Sequence, residues 1–511
     1  MKSIQDISAS AEYKKMEDVR QPFHTRAKEA SRLTLPQVYP EGDGDTSANN
    51  YATPYQSLGA RGVNNLANKM ILSLFPPATA FFKLGMNAMN IKNSGASEGQ
   101  VQEAMYVVEK GIINEMETSQ LRSVLVEVLK QGIIGGSSLI KIPDTGKPQC
   151  FNLTQFGIKR SKSGVVLKIV IKEKINYLEL PSDVRENIVT TLTDKEKDGK
   201  VDLDVYTLIM LNDKDKYDSI QEVKGSKIKG TDASYKKAEL PFIFVPFVDR
   251  GEDFGRSYCE DFIGDLQSYE GLRQSTLEAA SESARIIYLV KPNSILTPTK
   301  LAKAKSGDAI QGMPDDVATL QADKRLDLTV TQQEAEVLRT DLATLFLLDS
   351  AVRRNAERVT AEEIRRVSQE LEVALGGIYS TLSNVLQNPL VRLYLKRLVK
   401  KGSIKNILKD NLELEITTGS AALGRGTEFR SLQTFMEGAV ALLGPEGIGK
   451  YLNVSEVLSR MAYSLDVNTG ELVKSQEQQE QEAAAQQQAQ LEQQAVGPAI
   501  NAAASAQEEQ K

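Results

Sequence analysis

Ile364, Val367, Leu371, Leu375, Ile378, Leu382, Val385 and Leu386 fall at helical spacing, and the pattern resumes at Leu390, Val391, Leu393, Leu395 and Leu398. Steps of three and four place one apolar stripe along a helix, and a chain that carries such a stripe must bury it. Thr360 precedes Glu363 by three residues, which is the pattern of a capping box and predicts a helix start at that point. Glu362/Arg366 and Arg366/Glu370 are spaced to pair on the polar side. Pro389 is expected to kink or interrupt the helix at about the residue before it. At 1.5 Å per residue the element would span roughly 55 Å. A second helix, Thr329 to Val352, leads into it through the charged joint Arg353-Arg354-Asn355-Ala356-Glu357-Arg358.

The rest of the chain follows from local pattern. Residues 1–35 read as an amphipathic helix, and Glu41 to Asn50 as a polar loop without the late glutamate of a calcium site. Val63, Leu66, Met70, Ile71 and Leu74 give a helix stopped by Pro76-Pro77. Residues 98–118 and 121–134 are expected to be helical, with Gly135-Gly136 ending the second. From Ser138 to Val248, short β-branched runs alternate with turn clusters such as Pro143-Asp144-Thr145-Gly146 and Asn212-Asp213, which predicts antiparallel strands. The expected fold class is therefore α+β, mainly helical.

Ser257 to about Ile286 reads as a helix with a polar, small-residue surface, including Gln267, Ser268, Gln274, Ser275, Ala279, Ala280, Ser281 and Ser283. Such a helix is a poor core element for a lone molecule and suits packing against copies or a wet channel. An insert at 287–328 carries Lys291, Lys300, Lys303 and Lys305. Leu412 to Thr417 is strand-like, 427–466 helical, and the Gln/Ala/Glu-rich sequence from about Lys474 is too polar to order itself.

Composition narrows the chemistry. One histidine, His24, and two cysteines, Cys150 and Cys259, exclude a multi-histidine metal site, a disulfide framework and the usual structural zinc sites. No metal or cofactor is expected. A net charge of −6 argues against a general nucleic-acid coat but not against a local basic patch. No apolar run approaches the ~18 residues of a membrane span, so no membrane partner is expected. Gly444 to Lys450 fits the spacing of a phosphate loop, but Tyr451 replaces the magnesium-binding hydroxyl, Glu446 is repulsive and Pro445 lacks a donor. The preceding FMEGAVALL reads as helix, so a helix-ending turn is expected there. Gly255-Arg256-Ser257-Tyr258-Cys259 lacks the last glycine of a nucleophile elbow. No catalytic residue is assigned. Arg353, Arg354 and Arg358 are either a solvated connector or a basic joint that touches a polyanion, and the four insert lysines carry the same two readings.

Three long stretches carry a resemblance. YATPYQSLGARGVNNLANKMILSLFPP (51–77), FGRSYCEDFIGDLQSYEGL (254–272) and RVTAEEIRRVSQELEVALGGIYSTLSNVLQNPLVRLYL (358–395) resemble portal proteins, the head-to-tail connectors, of short-tailed (podovirus) bacteriophages. The likeness runs from about residue 10 to 470. It implies a dodecameric ring of wing, stem, clip and crown around a channel for double-stranded DNA. Mapped on this chain, it implies a wing at 1–254, stem helices at 255–284 and 329–350, and a clip at 285–328. The tunnel loop would be 351–359, the wing spine helix and following strand 360–426, the crown 427–470 and a disordered tail 471–511. Arg353, Arg354 and Arg358 would then lie in the tunnel loop. The implied partners are sister copies, the major capsid and scaffolding proteins, the terminase large subunit, the tail adaptor protein and internal core proteins. The implied place is the virion, after assembly in the host cytoplasm. An internal scaffold protein and an NTP-driven packaging motor subunit are the alternative readings.

Overall fold

A computed structural model describes residues 4–40, 52–76, 81–86, 98–180, 182–188, 192–283, 287–320, 325–348, 361–402, 414–418, 425–452, 454, 457–458 and 460–461. The chain divides into two units, residues 1–77 with 115–397 and residues 78–114 with 398–511. The elements open with α1 (Ala9–Leu33), α2 (Leu58–Leu74), β1 (Phe82–Met86), α3 (Glu98–Thr118) and α4 (Leu121–Gly135). Strands β2 (Ser137–Lys141), β3 (Gln149–Phe151), β4 (Phe156–Arg160) and β5 (Val166–Ile175) follow. Short helices α5 (Ser182–Ile188) and α6 (Asp194–Lys197) precede β6 (Leu203–Leu211), β7 (Lys216–Val223), β8 (Ser226–Lys227), β9 (Ala233–Lys236) and β10 (Phe242–Pro246). Then come α7 (Ile263–Ser283), β11 (Ile287–Val290), α8 (Pro298–Lys303), β12 (Val317–Leu320) and α9 (Arg325–Leu345). The last elements are α10 (Ala361–Leu375), α11 (Gly377–Leu382), α12 (Asn388–Lys400), β13 (Leu414–Thr418) and α13 (Arg425–Tyr451).

The antiparallel β region is present and forms two sheets in the first unit. Six strands run in the order β4-β5-β6-β7-β8, with β9 also on β7, and three in the order β10-β2-β3. Alternation along β6 and β7 sends Leu208 and Ile220 to one face, where they pack with Ala9, Tyr13 and Met16 of α1. Leu203, Val205 and Val223 point the other way, onto Val184 and Ile188 of α5. Ser8 caps α1, and Glu222 of β7 completes that cap from outside. Its carboxylate accepts from the Ala9 N–H (2.6 Å) and from the hydroxyls of Ser10 (2.7 Å) and Ser8 (3.0 Å). Gly136 ends α4 at φ 78°, and a Cβ there would stand 2.5 Å from the Gly255 carbonyl oxygen, so both the turn and the close approach require glycine.

The stripe of the long helix is buried as its spacing predicts, with Val367, Leu371, Leu375, Leu382, Leu386, Leu390 and Val391 all 5% exposed or less. Its continuity is not as expected. The break falls at Gly376 (φ 55°, ψ −134°), between α10 and α11, rather than just before Pro389. Ser383–Gln387 instead form a π-turn, and α12 continues through Pro389. The wider turn accommodates a residue that has no N–H to return to the preceding carbonyl and whose ring would collide with it. A single straight rod of roughly 55 Å is therefore corrected to helices joined at a glycine. Glu370 also differs from expectation, since its carboxylate reaches Lys69 of α2 (3.1 Å).

In the second unit, β1 pairs antiparallel with β13, from Phe82↔Thr418 to Met86↔Leu414. Glu109 of α3 is buried and accepts from the Leu84 N–H (2.7 Å). Helix α13 is interrupted at Gly444 (φ 69°, ψ 167°).

Candidate functional site

Helix α7 and helix α9 pack along each other, and the ribbon β11–β12 lies between them in sequence. Leu266 and Tyr269 are buried near the start of α7, but no residue from Glu270 to Glu282 is. The helix begins at Ile263, after a 3-10 turn over Cys259–Phe262. The ribbon leaves Ile287, Tyr288 and Leu289 about half exposed, at 54%, 52% and 51%. A two-stranded ribbon with bare faces and two free edges is marginal by itself. Leu277 of α7 and Val330 and Val337 of α9 are exposed as well.

The lysines sit on the connection between the ribbon strands. Lys291, Lys300, Lys303 and Lys305 are all exposed. Local backbone turns fix their positions: the Lys291 N–H donates to the Asp316 carbonyl (3.1 Å), and the Lys305 N–H to the Asp308 carboxylate (2.7 Å). The N–H of Met313, the Ser294 hydroxyl and nearby Lys291 together hold the Asp316 carboxyl below its ordinary range.

At the other end of α9 the sequence expectation is corrected. The helix starts at Arg325 and stops at Leu345, and Leu347 takes a left-handed φ of 53°. Side chains from elsewhere capture its last carbonyls. The Tyr258 hydroxyl donates to Leu345 (3.0 Å), Asn65 Nδ2 to Phe346 (3.0 Å) and Leu347 (2.9 Å), and Lys69 Nζ to Leu347 (3.0 Å). Terminal carbonyls need such partners, and an ammonium there also meets the negative end of the helix dipole. Asn65 and Lys69 were not anticipated. In NNLANKMIL a lysine looks solvated, and nothing local reveals that its partners lie some 280–300 residues away.

The sequence profile of the family described as bacteriophage head to tail connecting protein matches residues 7–468. The chain belongs to the head-to-tail connecting proteins of bacteriophages. It is 35% identical over 485 residues to the portal protein of Escherichia phage T7, covering 93% of this chain and 90% of that one. With the portal protein of Enterobacteria phage T3 the identity is 36% over 479 residues, covering 92% and 89%. The portal protein of Enterobacteria phage SP6 is 29% identical over 430 residues, covering 83% and 82%. A solved structure titled as the neck of a native GTA particle aligns with 77% of the chain and 89% of its own at 10% identity and a TM-score of 0.34, a likeness too slight to build on.

As a head-to-tail connector the chain is a structural component of a phage particle, and no catalytic family is indicated. The connector's enzyme-like motifs take packing roles. The residues before Gly444 are helix, not the strand that a phosphate loop requires. Ser257 is 5% exposed and its hydroxyl donates to the Ile133 carbonyl (2.8 Å). His24 lies against the Tyr39 ring (6.4 Å). Cys150 and Cys259 are free thiols, and burial pushes Cys259 up to about 12. Among the described residues no three His, Cys, Asp or Glu side chains group to hold a metal, and no helix is long and apolar enough to cross a membrane. Arg353, Arg354, Arg358 and Thr360 lie outside the described residues, as does the side chain of Glu363. Helix α10 begins at Ala361.

Proposed function

We propose that the connector closes into a ring of twelve copies at one capsid vertex and forms the channel through which double-stranded DNA is packaged and ejected. One observation carries this reading. The stem pair α7–α9 and its ribbon leave Leu277, Ile287, Tyr288, Leu289, Val330 and Val337 uncovered, whereas the layer between α1 and the six-stranded sheet of the same unit buries Ala9, Tyr13, Met16, Val170, Leu208 and Ile220. Apolar residues on the successive elements α7, β11 and α9 are covered if a different face of the next copy lies against them, and such heterologous contacts close into rings.

In this reading 1–254 is the wing, α7 and α9 the stem, 285–328 the clip, 360–426 the spine with its strand, and 427–470 the crown. Arg353, Arg354 and Arg358, in the 351–359 loop, approach the DNA backbone, where contacts carry no base information and weaken with salt. The exposed clip lysines Lys291, Lys300, Lys303 and Lys305 serve the docking of the terminase large subunit, and later of the tail adaptor protein. Major capsid, scaffolding and internal core proteins meet the ring elsewhere, and assembly takes place in the host cytoplasm. The formal charge of −6 per chain suits a conduit that must let DNA slide.

Native mass and particle images test the ring: twelve chains of 56.2 kDa give roughly 670 kDa. A protein that stays monomeric at every concentration overturns the reading. Replacing Arg353, Arg354 and Arg358 together by alanine is expected to lower the yield of DNA-filled heads without loss of rings, and unchanged filling would remove the role given to these arginines.

A further inference from the structure

Helices α9 and α10 are joined through residues 349–360, yet both are held by one face of α2. Gly62, Asn65, Lys69 and Ser73 stand three, four and four residues apart, so they line one side of that helix. At Gly62 a Cβ would meet the Phe346 ring at 2.5 Å, so the end of α9 lies directly against α2. Asn65 donates to the carbonyls of Phe346 and Leu347. Lys69 is 6% exposed, and its ammonium bonds both the Leu347 carbonyl (3.0 Å) and the Glu370 carboxylate of α10 (3.1 Å). One turn on, the Ser73 hydroxyl lies 2.5 Å from that of Ser368 on α10 and 2.6 Å from that of Tyr379 on α11.

The seam therefore has three parts. Asn65 meets the stem helix, Ser73 meets the spine, and Lys69 meets both. An exposed Lys–Glu pair contributes little. A buried ammonium is different, because a charge removed from water is stable only while its partners stay in place. If either helix end moves alone, Lys69, 6% exposed, loses part of its pairing.

We propose that Asn65, Lys69 and Ser73 are positioning residues that lock the end of stem helix α9 to the spine, so that the two helices move together in the ring. The separation of the two ends between which Arg353, Arg354 and Arg358 lie is then fixed by α2. This rests on the channel reading above, and it adds a residue set that acts on the channel without touching DNA.

The test uses full-length rings carrying Lys69→Met, Asn65→Ala or Ser73→Ala, read by amide hydrogen exchange and by the yield of DNA-filled heads. Lys69→Met is expected to speed exchange about tenfold or more both at Phe346–Leu348 and at Val367–Tyr379. Asn65→Ala should do so only at the first segment and Ser73→Ala only at the second. Glu370→Gln, at a partner 29% exposed, is the second variant if Lys69→Met fails to fold, and the same two-ended signature is expected of it. Filled heads should fall for the variants that loosen both ends. Uniform acceleration across the unit, or a Lys69→Met effect at one end only, overturns the proposal. So do full heads from a two-ended variant while the triple arginine variant loses DNA, an outcome that leaves the channel reading standing. Full heads from the triple arginine variant sink that reading, and the seam's role in the channel with it.

Discussion

Helices α1 and α7 have similar lengths, 25 and 21 residues, and belong to the same unit. Their surroundings differ. Helix α1 buries Ala9, Tyr13, Met16, Ala27, Ala30 and Leu33, and even its polar end is satisfied within the chain by Glu222. Its Arg20 is 4% exposed and donates to the Phe156 carbonyl (2.8 Å) and the Tyr13 hydroxyl (3.0 Å). From Glu270 to Glu282, α7 has no fully buried residue. The first helix is finished by its own sheet. The second packs along α9 and meets the rest of its unit near its start, where Gln267 donates to Glu29 of α1 and Glu270 accepts from the N–H groups of Tyr55 and Gln56. On the ring reading proposed above, one chain holds a part whose stability is its own and a part whose apolar surface is completed by the next copy. Mutations in the two should separate stability from ring formation.

The largest effect on stability is expected where α1 meets the sheet. Leu208 is 0% exposed beneath Ala9, Tyr13 and Met16, so Leu208→Ala removes buried contacts and leaves a cavity. A loss of about 2–5 kcal/mol is expected in urea unfolding of the unassembled subunit. A loss under about 0.5 kcal/mol would mean that this layer, too, is finished only in the ring.

Glu222 sharpens the same side of the comparison. Burial pushes its carboxyl up, but the hydrogen bonds from Ser10, Ala9 and Ser8 outweigh burial and hold it below the ordinary 4.5. A folded value below the unfolded one means that the stabilisation is complete above about pH 4.5 and is lost as pH falls through the folded value. Glu222→Gln should cost about 1–3 kcal/mol at neutral pH. It should also flatten the acid limb of stability below pH 4.5, and an unchanged limb would show that α1 is held without this carboxylate.

Much of the finished part could be read from spacing alone. The buried stripe from Val367 to Leu386, the Pro76 stop and the antiparallel strands all follow from periodicity and turn residues. Long-range pairing was not legible. The FKLGM segment of β1 carries no strand signal strong enough to announce β13, more than 300 residues away. Gly376 is one glycine of a Gly-Gly pair inside a helical pattern, and only the structure shows that it takes a positive φ while a π-turn over Ser383–Gln387 precedes Pro389. Glu370 has Arg366 at ideal helical spacing, yet it turns to Lys69, because a buried ammonium needs the charge more than an exposed guanidinium does. At the candidate site Lys291, Lys300, Lys303 and Lys305 are exposed, which suits both readings of them, whereas the α2 seam escaped notice because its chemistry is created by tertiary packing.

Gly62→Ala tests the border between the two regions. The added methyl meets the Phe346 ring, which is 0% exposed and cannot swing into solvent. A cost of about 1–3 kcal/mol is expected from overpacking. It should appear with faster exchange at the end of α9, and an unaltered α9 end would show that α2 does not hold that helix in place.

The smallest effect on the lone subunit is expected in the ribbon, and it decides the comparison. Tyr288 and Leu289 are about half exposed, and their cross-strand neighbours are Thr319 and Ala318. Replacing both by serine removes little that the single chain buries, so its urea midpoint should shift by no more than about 0.5 kcal/mol. In a ring the same two side chains lie on every subunit. A loss of about 1 kcal/mol per contact is then repeated at each interface and multiplied through closure. Rings should give way to monomers and small oligomers in native mass spectra while the far-UV spectrum and the midpoint of the subunit stay as they were. Leu208→Ala should show the opposite split, an unstable subunit that still closes when stabilising osmolyte restores its fold. If the double serine variant instead destabilises the isolated subunit and leaves ring yield intact, the ribbon is an internal element of the chain and its exposed apolar residues do not mark the join between copies.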